Sequence, residues 1–383
     1  MLEKALSGGR RYRTIVAVLC LGIVAGLIAY RQQFMFGLGL TGMSRDVSWG
    51  FYIAQFTFLV GVAASAVMVA IPYYLHNYKV FGKLVILGEF LAIPAVIMCI
   101  LFIFVDLGQP ARVLNVLLHP QPHSIMFWDM TVLLGYLLLN LFIGWTTLGA
   151  EQKGFAAPKW VKPLIYISIP WAFSIHSVTA FLYAGLPGRT YWLTAIMAPR
   201  FLASAFAAGP ALLILLLYIM RRFTVFDPGR EAVQSLAKIV MYAMIANVFF
   251  FLLEVFTDVY SGSPEHIQPL QYLFFGLAGH SRLVPFMWTA AVLAFVSISL
   301  LVIPATRRNE KILPLALLAV VISVWIDKGL GLITGGFIPN SFGTITEYTP
   351  TVTELTIALG VYSVGLLTLT FLYKIAISIR NQT

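Results

Sequence analysis

Ten stretches of about twenty apolar residues run the length of the chain, at roughly 14–36, 50–75, 84–106, 125–149, 163–186, 200–222, 236–260, 283–304, 313–335 and 353–378. A hydrocarbon core about 30 Å thick needs a helix of about this length, because every backbone N–H and C=O inside it must be satisfied within the segment. A β-barrel would instead show short alternating segments, and runs such as Ala211 to Met220 have no period of two. The chain is expected to be an all-α polytopic membrane protein of ten transmembrane helices, a single integral membrane domain over 1–383. Composition excludes a water-soluble enzyme: 60% of residues are hydrophobic, 10% are charged and the mean hydropathy is +0.89, where a soluble domain carries roughly 25% charge. The first run follows Arg10, Arg11 and Arg13 as a signal peptide would, but no small-residue cleavage pattern precedes Arg31-Gln32-Gln33, so it reads as a retained helix.

A net charge of +10 would point a soluble chain toward nucleic acid; here its distribution between alternate connections is what matters. On the N-terminal side lie Lys4, Arg10, Arg11, Arg13, Lys79, Lys83, Lys153, Lys159, Lys162, Arg221, Arg222, Arg230, Arg307, Arg308, Lys311, Lys374 and Arg380, a total of 17. The other side has Arg31, Arg45, Arg112, Arg189, Arg200 and Arg282, a total of 6. Positive residues resist translocation, so both termini are expected in the cytoplasm and the chain in the cell membrane, with lipid as its surroundings and nucleic acid excluded as a partner. An error of one helix would scramble this alternation, which supports the count of ten. The longest connections, near 107–124, 187–199, 261–282 and 336–352, then all face outward.

Cys20 and Cys99 both fall inside apolar runs, so neither a disulfide framework nor a set of cluster ligands is present. His76, His119, His123, His266 and His280 are scattered without metal-binding spacing, and only His176 is placed for burial, so neither a metal nor a haem is expected on this chain. Pro72, Pro94, Pro170, Pro210 and Pro285 lie in or near the spans, where bending for packing is their ordinary role. Gly22 and Gly26 form a GxxxG step suited to close contact with another helix, in this chain or in a partner subunit.

Ionisable groups inside a bilayer cost several kcal/mol unless paired, so their depth is informative. Tyr52 and Gln55 open the second helix, Asp106 ends the third, Asp129 starts the fourth, and His176 and Tyr183 lie in the middle and outer part of the fifth, all in the outer half. Asp129, Tyr136 and Asn140 share one helical stripe at i, i+7, i+11, as do His176, Thr179 and Tyr183 at i, i+3, i+7. Asn247, Glu254 and Asp258 repeat the i, i+7, i+11 spacing on the seventh helix. Asp327 and Lys328 sit on the ninth, about 100° apart around its axis, Glu354 opens the tenth, and Glu89 lies on the inner part of the third. Glu89, Tyr136, Asn140, Asn247, Glu254, Asp258, Asp327 and Lys328 together read as a proton path. The plainer readings stand beside this one: Asp106, Asp129, Asp258 and Glu354 are near helix ends, where a carboxylate caps an N-terminus or meets water, and His176 is also a packing residue.

A quinone pocket needs an apolar slot for an isoprenoid tail, aromatic walls for the ring and a proton donor or acceptor near each carbonyl. The outer set Trp49, Tyr52, Gln55, Asp106, His123, Trp128, Asp129, His176 and Tyr183 supplies those types. Asp106, Asp129 and His176 are the candidate proton carriers. Trp49, Tyr52, Gln55, Arg112, His123, Trp128 and Tyr183 are the candidate quinone contacts, with Arg112 placed to keep a carboxylate ionised or stabilise a one-electron-reduced ring. Composition alone does not separate this from a secondary transporter with a midmembrane polar cavity.

The stretch FGLGLTGMSRDVSWGFYIAQFTFLVGVAASAVMV at 36–69 and FVDLGQPARVLNVLLHPQPHSIMFWDM at 104–130 resemble the NrfD-type, or polysulfide-reductase membrane-subunit, family. The Trp49-Gly50 helix start, the Asp-Leu-Gly-x-Pro-x-Arg turn at 106–112 and the Ser124-x-x-x-Trp128 entry carry the likeness. It implies two four-helix bundles, 50–186 and 200–335, flanked by the first and tenth helices. It also implies a menaquinone site at the outer end of the first bundle and no redox cofactor on the chain itself. The activity implied is that of a non-autonomous oxidoreductase subunit, with proton translocation as an added possibility, in a respiratory complex of sulfur metabolism. The partners implied are a periplasmic ferredoxin-like iron–sulfur subunit, a multihaem cytochrome c, a haem b membrane subunit and a cytoplasmic iron–sulfur subunit.

Overall fold

The computed structural model describes Glu3, Ala5 and residues 7–380; Lys4, one of the N-terminal charges, lies outside the described residues. Among these residues ten helices are long and apolar enough to cross a membrane. They are α1 (Arg10–Leu40), α2 (Phe51–Leu75), α3 (Lys79–Asp106), α4 (Ile125–Gln152), α5 (Val161–Ala184), α6 (Met197–Phe223), α7 (Arg230–Ser261), α8 (Val284–Val302), α9 (Leu313–Gly335) and α10 (Val352–Arg380). Each returns the chain to the opposite face, so α1 begins and α10 ends on one face, here the N-terminal face. The other is the far face. The spans agree with the apolar runs; α7 starts earlier because its first turn, with Arg230, Glu231 and Gln234, is polar and faces the N-terminal surface.

The helix lengths follow from apolar content, but the packing follows from small residues. α2, α3, α4 and α5 pack in sequence, and α5 closes back on α2; α6, α7, α8 and α9 form a second set in which α9 closes on α6. The two sets meet where α2 crosses α6 and where α5 lies against α6. Every residue of α2 from Tyr52 to Ala70 is buried, which makes it the axis of the molecule. Its crossing with α6 is closest at Gly209, where a Cβ would stand 2.9 Å from the Ser65 amide nitrogen, while one on Gly61 would meet the Ala205 Cα at an ordinary contact distance of 3.5 Å. Such small-residue contacts replace the hydrophobic driving force that lipid does not supply.

α1 and α10 pair outside the two sets, and α10 also lies along α3. The GxxxG step is spent within the chain: a Cβ on Gly26 would stand 2.5 Å from the Gly360 Cα, and Gly22 faces Ser363. No partner subunit is needed to account for it. Arg200, counted from the sequence among the far-face loop charges, is instead buried on the first turn of α6, so the far-face connections carry less positive charge than the sequence count implied.

Two helices contain wide turns. In α2 the last turn, Ile71–Leu75, opens to i→i+5 spacing at Pro72, which has no N–H to give. In α9 the seven residues Trp325–Gly331 do the same and include Asp327 and Lys328. The far-face connection near 261–282 contains a helix, Pro264–Phe274, started by Ser263-Pro264 and too short to span. The segment 336–351 crosses the far face above both sets. It is tied down by Thr346 to the Asp46 carboxylate at 3.0 Å, by Ser341 to the Gly188 carbonyl at 3.4 Å and by Arg282 to Thr349.

Candidate functional site

The side chains that cost most to bury form two groups in the far half, joined at the wide turn of α9. In the first group, the Tyr52 hydroxyl donates to Gln33 Oε1 at 2.7 Å, and Gln33 Nε2 donates to the Val105 carbonyl at 2.6 Å, serving the end of α3. Gln55 Oε1 accepts from Trp325 of α9 at 2.8 Å and from the Tyr362 hydroxyl of α10 at 2.6 Å. Gln55 therefore holds three helices together. The Tyr183 hydroxyl lies 2.6 Å from Thr57 Oγ1; since Thr57 gives its proton to the Ile53 carbonyl at 2.7 Å, Tyr183 is the donor.

Thr179 has one hydroxyl proton and two acceptors, Asp129 Oδ1 at 2.6 Å and the Ile175 carbonyl at 2.7 Å. The Thr179 hydroxyl is the donor to both and shares its one proton between the carboxylate and the carbonyl. His176, one turn below Thr179, is fully buried with neither ring nitrogen partnered, its ring 6.3 Å from that of Phe206. Asp106 Oδ1 is likewise buried and unpartnered. Further down α4, Tyr136 donates to the Ala63 carbonyl at 3.3 Å, beside the interruption of α2 at Ala64, and Asn140 donates to the Tyr136 carbonyl at 2.8 Å.

The second group centres on Arg200. One guanidinium nitrogen meets the Glu254 carboxylate of α7, and the other lies 2.7 Å from Asp327 Oδ1 of α9. Asn247, Glu254 and Asp258 are all buried, as their common stripe requires, and Asp258 lies 3.8 Å from His266 Nδ1 of the outer helix. Lys328 points the other way from Asp327, into the crossing of α2 and α6. Its Nζ donates to the Phe201 carbonyl at 3.4 Å, stands 4.1 Å from the centre of the Phe201 ring, and faces Gly61.

Above the first group the far face opens in a cleft of about 350 Å³ walled by Trp49, Trp192 and Phe337, with Arg189 at its lip. Trp49 and Trp192 stack, with centroids 5.7 Å apart and planes 26° apart, and Tyr183 meets both edge-on at 5.7 and 5.5 Å. Trp192 reaches this place because Gly336 leaves room for its ring, and its indole N–H is fixed to the Leu332 carbonyl at 2.8 Å. The Arg189 guanidinium lies 4.3 Å over the Phe337 ring, and its Nη1 has no hydrogen-bond partner. Burial pulls the Arg189 pKa below its ordinary value, against the opposing pull of the Asp46 carboxylate. Aromatic side chains line this cleft, and the unpartnered Arg189 Nη1 is buried beside it.

At the N-terminal face a cavity of about 720 Å³ lies among α2, α3, α4 and α10, with Glu89 on its wall. Glu89 Oε2 and Thr147 Oγ1 are buried there without partners, and Arg380, bound to Glu151 at 2.9 Å and to the Lys83 carbonyl at 2.6 Å, stands on the same wall.

The structure thus brings together Trp49, Tyr52, Gln55, Asp129, His176 and Tyr183 around the upper part of α2, with Asp106 at the end of the neighbouring α3. It does not bring in Arg112, His123 or Trp128, which are exposed. The physical reason for Trp128 is helical geometry: it precedes Asp129, so when Asp129 turns inward Trp128 turns out, and its indole donates to Pro122 in its own connection. Sequence reasoning missed Arg189, Trp192 and Phe337, which come from connections and carry no periodic signal. The clustering of Arg189, Tyr191 and Trp192 just past the end of α5 was the available clue. It also missed Arg200. Glu354, with a cap as its plainer reading, is fully buried and accepts from Gly42 N, Thr351 N and the Tyr348 hydroxyl, a structural clamp at the start of α10. Among the described residues no group of His, Cys, Asp and Glu is arranged to hold a metal ion.

A ten-span helical protein with buried carboxylates beneath an aromatic cleft belongs to the class of multi-pass integral membrane proteins. The chain is a member of the polysulphide reductase NrfD family, whose model matches residues 39–338. It is 27% identical, over 94% of this chain and 90% of the other, to a protein of Halobacterium salinarum provisionally named as a membrane subunit of dimethyl sulfoxide reductase. It is 22% identical to the Hdr-like menaquinol oxidoreductase integral membrane subunit of Archaeoglobus fulgidus, over 90% of this chain and 88% of that one. It is also 22% identical to the menaquinone reductase integral membrane subunit of Nitratidesulfovibrio vulgaris, over 91% and 87%.

Proposed function

We propose that the chain is the quinone-exchanging membrane subunit of a multi-subunit electron-transfer complex, with its far face outward and both termini in the cytoplasm. The names of two relatives support menaquinone as the exchanged molecule. The excess of Lys and Arg on the N-terminal-face connections supports the orientation. The observation that carries the reading is the stacked Trp49–Trp192 pair with the Tyr183 hydroxyl beneath it. A bound quinol supplies two electrons and two protons; the electrons go to an iron–sulfur partner docked on the far face. The chain's own residues bind and take protons. Trp49 and Phe337 contact the ring with the buried Trp192 stacked behind Trp49, Arg189 Nη1 donates to a ring oxygen, and Tyr183, through Thr57, holds the hydrogen-bond chain below. Asp129 with Thr179, His176 and Asp106 are the groups that take or release protons.

The proton route continues in two arms. Tyr136, Asn140 and Glu89 lead down α4 and α3 to the N-terminal-face cavity, and Lys328, Asp327, Glu254, Asp258 and Asn247 form the second arm; whether the complex pumps is decided by these residues. Within the family, GMSRDVSWGFYIAQFTFLVGVAASAVM at 42–68 resembles the DsrP type, the quinone-interacting subunit of the Dsr transmembrane complex. On that resemblance the complex serves sulfur metabolism, and its other members are a ferredoxin-like iron–sulfur subunit, a multihaem cytochrome c, a haem b subunit and a cytoplasmic iron–sulfur subunit.

The test is quinol-dependent reduction of the partner by the purified complex. Trp49→Ala and Asp129→Leu should each lower turnover at least tenfold with all subunits still present in the complex. Turnover equal to the unmodified complex in both variants would overturn the assignment.

A further inference from the structure

The lipid-facing side of the second helix set carries a groove unrelated to the far-face cleft. It measures about 450 Å³ and lies between α7, the outer helix Pro264–Phe274 and α8. Phe251, Phe274, Phe275 and Trp288 supply aromatic walls, Trp288 meets Phe274 edge-on at 5.8 Å, and Val255 and Val259 continue the groove along α7. Gln271 is the one polar residue on its lining, and no Lys or Arg is on it.

Phe251 and Phe274 are shared with a second, smaller chamber of about 40 Å³, lined also by Asn247, Met287, Ser323 and Asp327. Here the polar groups are unequal. The Ser323 hydroxyl is committed to the Ala290 carbonyl at 2.8 Å, and Asp327 Oδ1 accepts from Arg200. Asn247 is 4% exposed and its carboxamide oxygen has no partner. Buried acceptors are nearly always paired in folded proteins, so the chamber lacks a donor. It shares its Phe251 and Phe274 walls with the aromatic groove.

We propose that this groove is a second quinol site, on α7 and α8, with a ring hydroxyl donating to Asn247 and the prenyl chain lying along Val255 and Val259. The chemistry selects the occupant. A phospholipid would fill the groove with its chains, but its phosphate would meet no cation on the lining. A quinol has an uncharged head, a flat ring for aromatic walls and two O–H donors. The inference rests on the reading that the chain exchanges quinol, and places a second molecule on the second helix set, away from the far-face cleft.

The complex in lipid nanodiscs, irradiated with a naphthoquinol carrying a diazirine on its prenyl chain, should be labelled in two regions: the segments around Trp49 and Trp192, and the segments 247–259 and 270–288. Asn247→Leu and, independently, Val255→Trp should each lower labelling of the second region at least tenfold and leave the first unchanged. Label in the first region alone would overturn the second site and leave the proposed function standing; label in the second alone would do the reverse. Label in neither region would overturn both. Equal labelling of the groove by a diazirine-tailed phosphatidylcholine would mark it as ordinary lipid contact and overturn the proposal.

Discussion

Replacing Arg200 with Met isolates the worth of the charged group between α6, α7 and α9. Arg200 is 4% exposed and its guanidinium meets two carboxylates at once, Glu254 at 3% and Asp327 at 16% side-chain exposure. Met keeps the length of the stem but leaves Glu254 buried without a counter-charge. Breaking a buried pair from one side costs about 3–5 kcal/mol, much more than an exposed pair, because the remaining ion has lost both water and partner. Asp327, closer to solvent, adds less. Removing the stranded charges should reverse the loss: the triple variant Arg200→Met, Glu254→Gln, Asp327→Asn presents neutral groups and should recover most of the stability. Thermal unfolding of the purified complex in detergent, followed by the aggregation of this subunit, measures the first effect and the rescue. If the group also carries protons, the triple variant regains thermal stability but not proton translocation by proteoliposomes. An Arg200→Met protein that melts with the unmodified one, or a triple variant no more stable than the single, would refute the reasoning.

Other consequences are simpler. Gly26→Leu should cost at least about 1–3 kcal/mol by forcing α1 off Gly360 of α10, whereas Gly9→Ala, with open space around it, should melt unchanged; equal melting of the two would disprove the close contact. Glu89→Gln should slow proton uptake from the N-terminal face, read with a pH dye in proteoliposomes, while binding of a naphthoquinol at the far-face cleft stays unchanged. Glu347 lies outside the spans: burial raises its pKa, but the Arg282 N–H at 2.8 Å, the Tyr272 hydroxyl at 3.0 Å, His280 and the Arg282 charge outweigh it and hold the group below its ordinary value. With the folded value the lower one, its stabilisation is complete above the unfolded value of about 4.3 and is lost as pH falls through the folded value. Melting temperature should therefore drop less between pH 6 and about pH 3 in Glu347→Gln than in the unmodified protein, and identical drops would remove Glu347 from the account.

The spans were legible because a bilayer imposes one requirement on every residue of a run, and the buried stripes because the 3.6-residue period carries over unchanged into the fold. Asn247, Glu254 and Asp258 face inward together, as do Asp129, Tyr136 and Asn140. What local pattern does not encode is which remote segment fills a gap. Trp192 and Phe337 meet at 5.2 Å from connections at opposite ends of the second helix set, and Gly22 meets Ser363 from opposite ends of the chain. Arg200 was misplaced for a related reason: it follows Pro199 at the start of an apolar run and looks like the edge of a loop until Glu254 and Asp327 are known to face it. Trp128 was misplaced because nearness in sequence to Asp129 is the opposite of nearness in direction.

The wide turn of α9 explains why the two polar groups form a connected set rather than separate patches. Trp325, Asp327 and Lys328 fan around the axis of this turn. The i→i+5 turn widens the helix there, and each of the three finds a polar partner on a neighbouring helix: Trp325 on Gln55 of α2, and Asp327 and Lys328 on Arg200 and the Phe201 carbonyl of α6. A Cβ on Gly61 would touch the Lys328 ammonium at 3.4 Å, and a larger, branched side chain there would occupy the space that ammonium faces. Gly61→Val should therefore displace Lys328 and separate the helices together. A normal α2–α6 spacing, measured by the distance between spin labels on the N-terminal-face ends of those helices, would show that Lys328 is not confined by the crossing.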